Sequence, residues 1–131
     1  MNYMELDTPA LIIDREIMMD NLRFMQEYAD RRHVALRPHT KTHKMPRLAL
    51  IQEELEARGV TVAKVGEAEV MAEAGLRDIF IANEIVGESK LARIRELAKT
   101  VDISFGLDSI PQAEMIERAF AGAQKPARVL I

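Results

Sequence analysis

Six cations and three imidazoles crowd into one short stretch of this chain. Between residues 31 and 47 stand Arg31, Arg32, Arg37, Lys41, Lys44 and Arg47, together with all three histidines (His33, His39, His43) and no Asp or Glu. The centre of the stretch is Leu36-Arg37-Pro38-His39-Thr40-Lys41-Thr42-His43-Lys44. Pro38 disfavours helix for itself and for Arg37 before it, so this centre reads as extended. Side chains alternate along an extended chain, which puts Arg37, His39 and Lys41 on one face. Neighbouring positive charge and desolvation both disfavour an ammonium ion, and a neutral lysine amine is a nucleophile towards a carbonyl. Blander roles compete with that one. A run of cations is commonly a solvated loop, or a contact for phosphate or nucleic acid. An acidic chain with only 2 Tyr and 4 Phe for stacking weakens the nucleic-acid role. His39 and His43 are four apart, as in a helical zinc site, but Pro38 keeps the segment extended and no third ligand stands nearby. No metal is assigned to this segment.

The surrounding elements must position that face. Ala10 to Ile13 is an apolar run long enough for a strand. Met18, Leu22, Met25 and Ala29 then recur at helical spacing. Strands are expected near 36–41, 60–65, 78–82, 101–107 and 127–131. Between them lie helical stripes. Leu48, Ile51 and Leu55 form one that stops at Arg58-Gly59, and Val70, Met71 and Ala74 form one that stops at Gly75. Leu91, Ile94 and Leu97 make another, and Ala113, Ile116 and Phe120 the last, opened by a Ser109/Gln112 capping box. Strands alternating with helices imply parallel βα units joined by right-handed crossovers. In such folds ligands sit at the carboxyl ends of strands, where Lys41 falls.

Composition narrows the class further. The chain has 131 residues, 48% hydrophobic and 30% charged, with net charge −3, 6 Gly, 5 Pro and no Cys. Disordered and collagen-like chains are excluded on apolar content and on Gly and Pro. Without Cys there is no disulfide framework, zinc-thiolate site or cysteine nucleophile, which suits a cytoplasmic location. The apolar runs, such as Pro9 to Ile13, fall well short of the ~20 residues that span a bilayer. The first residues carry no basic region followed by an apolar stretch, so no secretory signal is expected. Two architectures use repeated βα units, an open doubly wound sheet and a closed eight-unit barrel. Length favours the open sheet, since a barrel typically takes ~250 residues. Against it, no Gly-rich turn follows the first strand, and Ala127 to Ile131 stops in mid-strand. The chain reads as cut off.

The segment Arg37-Pro38-His39-Thr40-Lys41-Thr42-His43-Lys44 resembles the lysine motif of the D-threonine aldolase and D-serine dehydratase family. That family belongs to the alanine-racemase-like, fold-type III pyridoxal-phosphate enzymes. Asp7-Thr8-Pro9-Ala10, Asn21, Val65-Gly66-Glu67-Ala68-Glu69-Val70-Met71 and Ile81-Ala82-Asn83-Glu84 agree in order and spacing. The resemblance implies an α/β fold, a partial (β/α)8 TIM barrel of the alanine racemase N-terminal type with about five barrel strands. Residues 1–14 would be an opening strand belonging to a C-terminal β domain, and 15–131 the cofactor-binding part of the barrel.

It also implies that Lys41 forms a Schiff base with pyridoxal 5'-phosphate, while Lys44 points away. Arg37 and His39 would face inward to tune Lys41 or the cofactor, or simply pair with each other in the barrel interior. The implied function is a lyase on D-3-hydroxy amino acids, splitting Cα–Cβ or losing the β-hydroxyl. The alternatives are a racemase or decarboxylase of the same superfamily and a non-catalytic cofactor carrier. A small D-amino acid, a homodimer and a divalent metal held by the later region complete the expectation, the 131 residues alone being inactive. Alanine racemases have Tyr four residues after the lysine; Met45 stands here, favouring the aldolase and dehydratase branch. The remaining motif residues have plain readings. Glu67 and Glu69 are first-turn acids suited to the helix dipole, and Asn83 either caps the segment from Glu84 onward or lines the barrel mouth.

Overall fold

A computed structural model describes residues 2–131. Five helices, α1 (Arg15–Arg31), α2 (Pro46–Glu54), α3 (Val65–Glu73), α4 (Glu88–Leu97) and α5 (Ile110–Phe120), accompany four strands. The strands are β1 (Val60–Val62), β2 (Asp78–Glu84), β3 (Asp102–Gly106) and β4 (Arg128–Leu130). They pair in chain order, all parallel, with Val60 opposite Ile79, Ile79 opposite Ile103 and Phe105 opposite Val129.

Every strand alternates, and one set of side chains points into the helical layer. Val60, Val62, Ile79, Ile81, Ile103 and Phe105 are almost wholly buried against Ala68, Met71 and Ala72 of α3, Leu91 and Ile94 of α4 and Ile116 of α5. The opposite face is more open at Phe80 and Ser104. A parallel sheet whose neighbours follow one another in sequence, with helices on one side, is an arc of a barrel wall. An open doubly wound sheet reverses its strand order part-way, and this sheet does not.

The expected strand at 36–41 survives only as an extended edge. His39 forms one parallel bridge with Thr61. Arg58 N donates to Leu36 O at 2.8 Å, and Thr61 N to Pro38 O at 2.7 Å. Pro38 has no N–H to extend the ladder, and from Thr40 to Thr42 the chain tightens into a 3-10 turn. Ala10 to Ile13, expected as a strand, pairs with no strand among the described residues and leaves Leu11 exposed.

Helix ends depart from the sequence reading for a local reason. The second helix does not run to Gly59 but ends at Glu54, and Ala57 N closes back on Gln52 O at 3.0 Å. Glu56 takes the left-handed position there (φ 75°), as His33 does after α1 (φ 55°) and Gly75 after α3 (φ 115°). Gly59 instead allows a close approach, since a Cβ there would run into the backbone carbonyl of Asp78. Helix α3 starts at Val65, shortening the strand expected at 60–65, and it turns Val70 outward while burying Ala68 and Met71. Met25 and Phe24 of α1 are likewise exposed, the buried positions being Gln26 and Ala29.

Candidate active site

All four strands and the extended segment point their carboxyl ends to one rim. The rim is built by side chains that satisfy backbone groups. Thr40 is buried, and its Oγ1 donates to Thr61 O at 3.2 Å, bolting the turn to β1. His39 Nδ1 accepts from Lys41 N at 3.2 Å, which curls the chain immediately after the bridge. His43 Nδ1 accepts from Met45 N at 3.0 Å at the start of α2. Both rings therefore present a lone pair at Nδ1, and burial pushes both imidazoles below their ordinary range. At His39 the Lys41 ammonium adds to that depression, while Glu67 opposes it.

Lys41 lies exposed on the turn and makes no ion pair among the described residues. Lys44, three residues on, has φ 51° and sits 3.7 Å from Glu67 Oε1. Of the two lysines, only Lys41 keeps an uncommitted amine. Thus His39 and Lys41 are brought together at the rim. Arg37 is not brought to them. Its guanidinium binds Asp78 at 2.8 and 2.9 Å, at the amino end of β2. Arg58 lies 3.8 Å from the same carboxylate, and Arg128 pairs with Asp102 at the amino ends of the next two strands. These pairs make a charged floor at the end of the sheet opposite Lys41.

Three rim residues do more than their sequence context implied. Asn83 both accepts from Glu84 N at 3.0 Å and donates to Ala63 O at 3.4 Å, linking β2 to the chain after β1. A bulge between Ile81 and Glu84 turns it there, over Gly106, where a Cβ would meet Asn83 O at 3.0 Å. The Ser109/Gln112 capping box does not form, because Ser109 makes no side-chain cap. Gln112 is instead buried, donating to Ile85 O and Gly106 O at 3.1 Å and accepting from Asp108 N at 3.0 Å. Glu67 accepts from Ala63 N at 2.8 Å. Glu69 pairs with Arg93 of α4, which holds its carboxyl below the usual range. Among the described residues no group of three or more His, Asp or Glu side chains is placed to hold a metal ion. No helix among them is long and apolar enough to cross a membrane.

Comparison with known proteins agrees with this geometry. Residues 13–131 match the family described as alanine racemase, N-terminal domain. A D-threonine aldolase of Arthrobacter sp. is 46% identical over 121 residues, covering 91% of this chain and 32% of that protein. The crystal structure of D-threonine aldolase from Filomicrobium marinum superposes with a TM-score of 0.92 at 41% identity, covering 95% of this chain and 34% of that one. D-threo-3-hydroxyaspartate dehydratase from Delftia sp. HT23 gives 0.88 at 33% identity, covering 95% and 33%. The chain spans about a third of the length of these relatives. By its match from residue 13 onward and by its fold, the chain belongs to the alanine racemase N-terminal domain family.

Proposed function

We propose that this chain supplies the cofactor lysine of a pyridoxal-phosphate-dependent lyase acting on D-3-hydroxy amino acids. The observation that carries the reading is the free amine of Lys41 at the rim, with Lys44 beside it already engaged by Glu67. An amine without a counter-ion, on a solvent-facing turn at the carboxyl ends of parallel strands, suits an aldehyde cofactor. When bound, pyridoxal phosphate draws electrons from the Cα of an amino acid.

The chain's own residues do the rest. Lys41 would hold the cofactor through its Nζ, and its amine would be placed to accept or return a proton on one side of the reacting centre. His39 fixes the backbone of Lys41 by accepting its N–H on Nδ1. Arg37 anchors the extended segment from the floor, so its part is to set the height of Lys41. Asn83 and Gln112 hold the neighbouring loops at the rim. The apolar stretch Ala10 to Ile13, exposed here, joins a C-terminal β domain in the same reading, and the enzyme is a cytoplasmic homodimer. Any metal would be held by residues outside this chain.

The test uses the full gene product incubated with pyridoxal phosphate and reduced with borohydride. Peptide mapping should place the reduced adduct on Lys41, and Lys41→Ala should abolish it. Turnover of D-threonine or D-3-hydroxyaspartate should fall in that variant by at least ~10³-fold, within the range general acid–base groups contribute. Glycine with an aldehyde marks the aldolase, and ammonia with an oxo acid marks the dehydratase. An adduct on Lys44 or any other lysine would overturn the assignment.

A further inference from the structure

Glu67 has more contacts than a first-turn acid requires. Its side chain is only 12% exposed. One oxygen accepts from Ala63 N at 2.8 Å, immediately beyond β1. The other lies 3.7 Å from Lys44 Nζ, at the far end of the turn that begins with buried Thr40. Thr40, Lys44 and Glu67 line one cleft of about 380 Å3, with Lys64 and Met71. A capping role explains the contact to Ala63 but neither Lys44 nor the effect on His39. The turn is thus fastened at both ends, by Thr40 to the β1 backbone and by Lys44 to this carboxylate, with Lys41 between.

We propose that Glu67 is a positioning residue for Lys41, its carboxylate clamping the turn to the end of β1 and supplying the negative charge beside it. This rests on the reading of Lys41 as the cofactor lysine. The charged and titratable groups facing the cluster are Lys41 and Lys44 from the turn, His39 from the extended segment and Lys64 at the start of α3. Glu67 is the only acid to oppose them there among the described residues.

The experiment follows the visible absorption of bound pyridoxal phosphate against pH in the full gene product. Glu67→Gln keeps an acceptor for Ala63 N–H and removes the charge. Its midpoint should fall by about 0.5 to 1 unit, because loss of a nearby negative charge disfavours protonated neighbours. Glu67→Asp keeps the charge on a shorter arm and should hold the midpoint near that of the wild type while lowering the melting temperature. Amide exchange on the wild-type protein supplies a reading independent of any variant: Ala63 N–H should be protected at least ~10-fold over a free amide. An unchanged midpoint in Glu67→Gln, or a freely exchanging Ala63 amide, overturns the proposal. Failure of the underlying reading looks different, since absorption that survives Lys41→Ala indicts Lys41 and not Glu67.

Discussion

His43 takes a backbone amide on Nδ1 while its buried Nε2 faces Gln52. Burial lowers its proton affinity in the fold, so the unfolded chain binds the proton first as acid is added. Its contribution to stability is full above the ordinary imidazole pKa of about 6.5 and is lost as pH falls from there through the lowered folded value. His39 has the same sign. The melting temperature of the gene product should therefore drop as pH falls below about 6.5, and His43→Asn, which keeps an acceptor for Met45 N–H, should flatten that drop. A slope unaltered by the substitution would assign the pH response to other groups. At this scale the segment around Lys41 was legible as a candidate site, because Pro38 and the local cation density single it out. Glu67 and Gln112 were not, since each sits where a capping residue sits, and only the folded chain shows which backbone group its side chain meets.

The same ambiguity governs the ends of elements. Arg58-Gly59 carries the cation and glycine of a helix stop, yet the helix closes at Glu56, because left-handed closure needs a geometry that several residues supply. Gly59 has a different job, passing within reach of Asp78 O beside the floor of ion pairs. Two substitutions separate these roles in denaturant titrations. Gly59→Ala should destabilise by about 3 kcal/mol or more, as a Cβ at φ 64° collides with backbone. Glu56→Gly should stabilise by about 0.5–1 kcal/mol, relieving the left-handed strain of a non-glycine residue. Equal effects would mean that the two turns are not distinguished by steric contact.

For the whole molecule, the alternation of strand and helix was readable, but the periodicity did not distinguish an open sheet from a barrel wall. That choice lies in strand order, which depends on which edge each crossover selects and leaves no mark in spacing. One consequence is open to direct measurement. The free edge of β4 has no strand partner among the described residues, and Ile17, Phe24, Met25 and Tyr28 stand exposed on α1. The isolated 131-residue chain should then self-associate at micromolar concentration, seen as a concentration-dependent sedimentation coefficient, as unpaired edges and apolar faces seek cover. A monodisperse monomer would show that this arc is stable without further covering. The pairing of each strand with its immediate successor has a kinetic side as well. No strand has to wait for a distant partner, so the wall can be laid down stave by stave as the polypeptide leaves the ribosome. The turn bearing Lys41, fastened to β1 and α3, would then be seated early, before β3 and β4 have been synthesised.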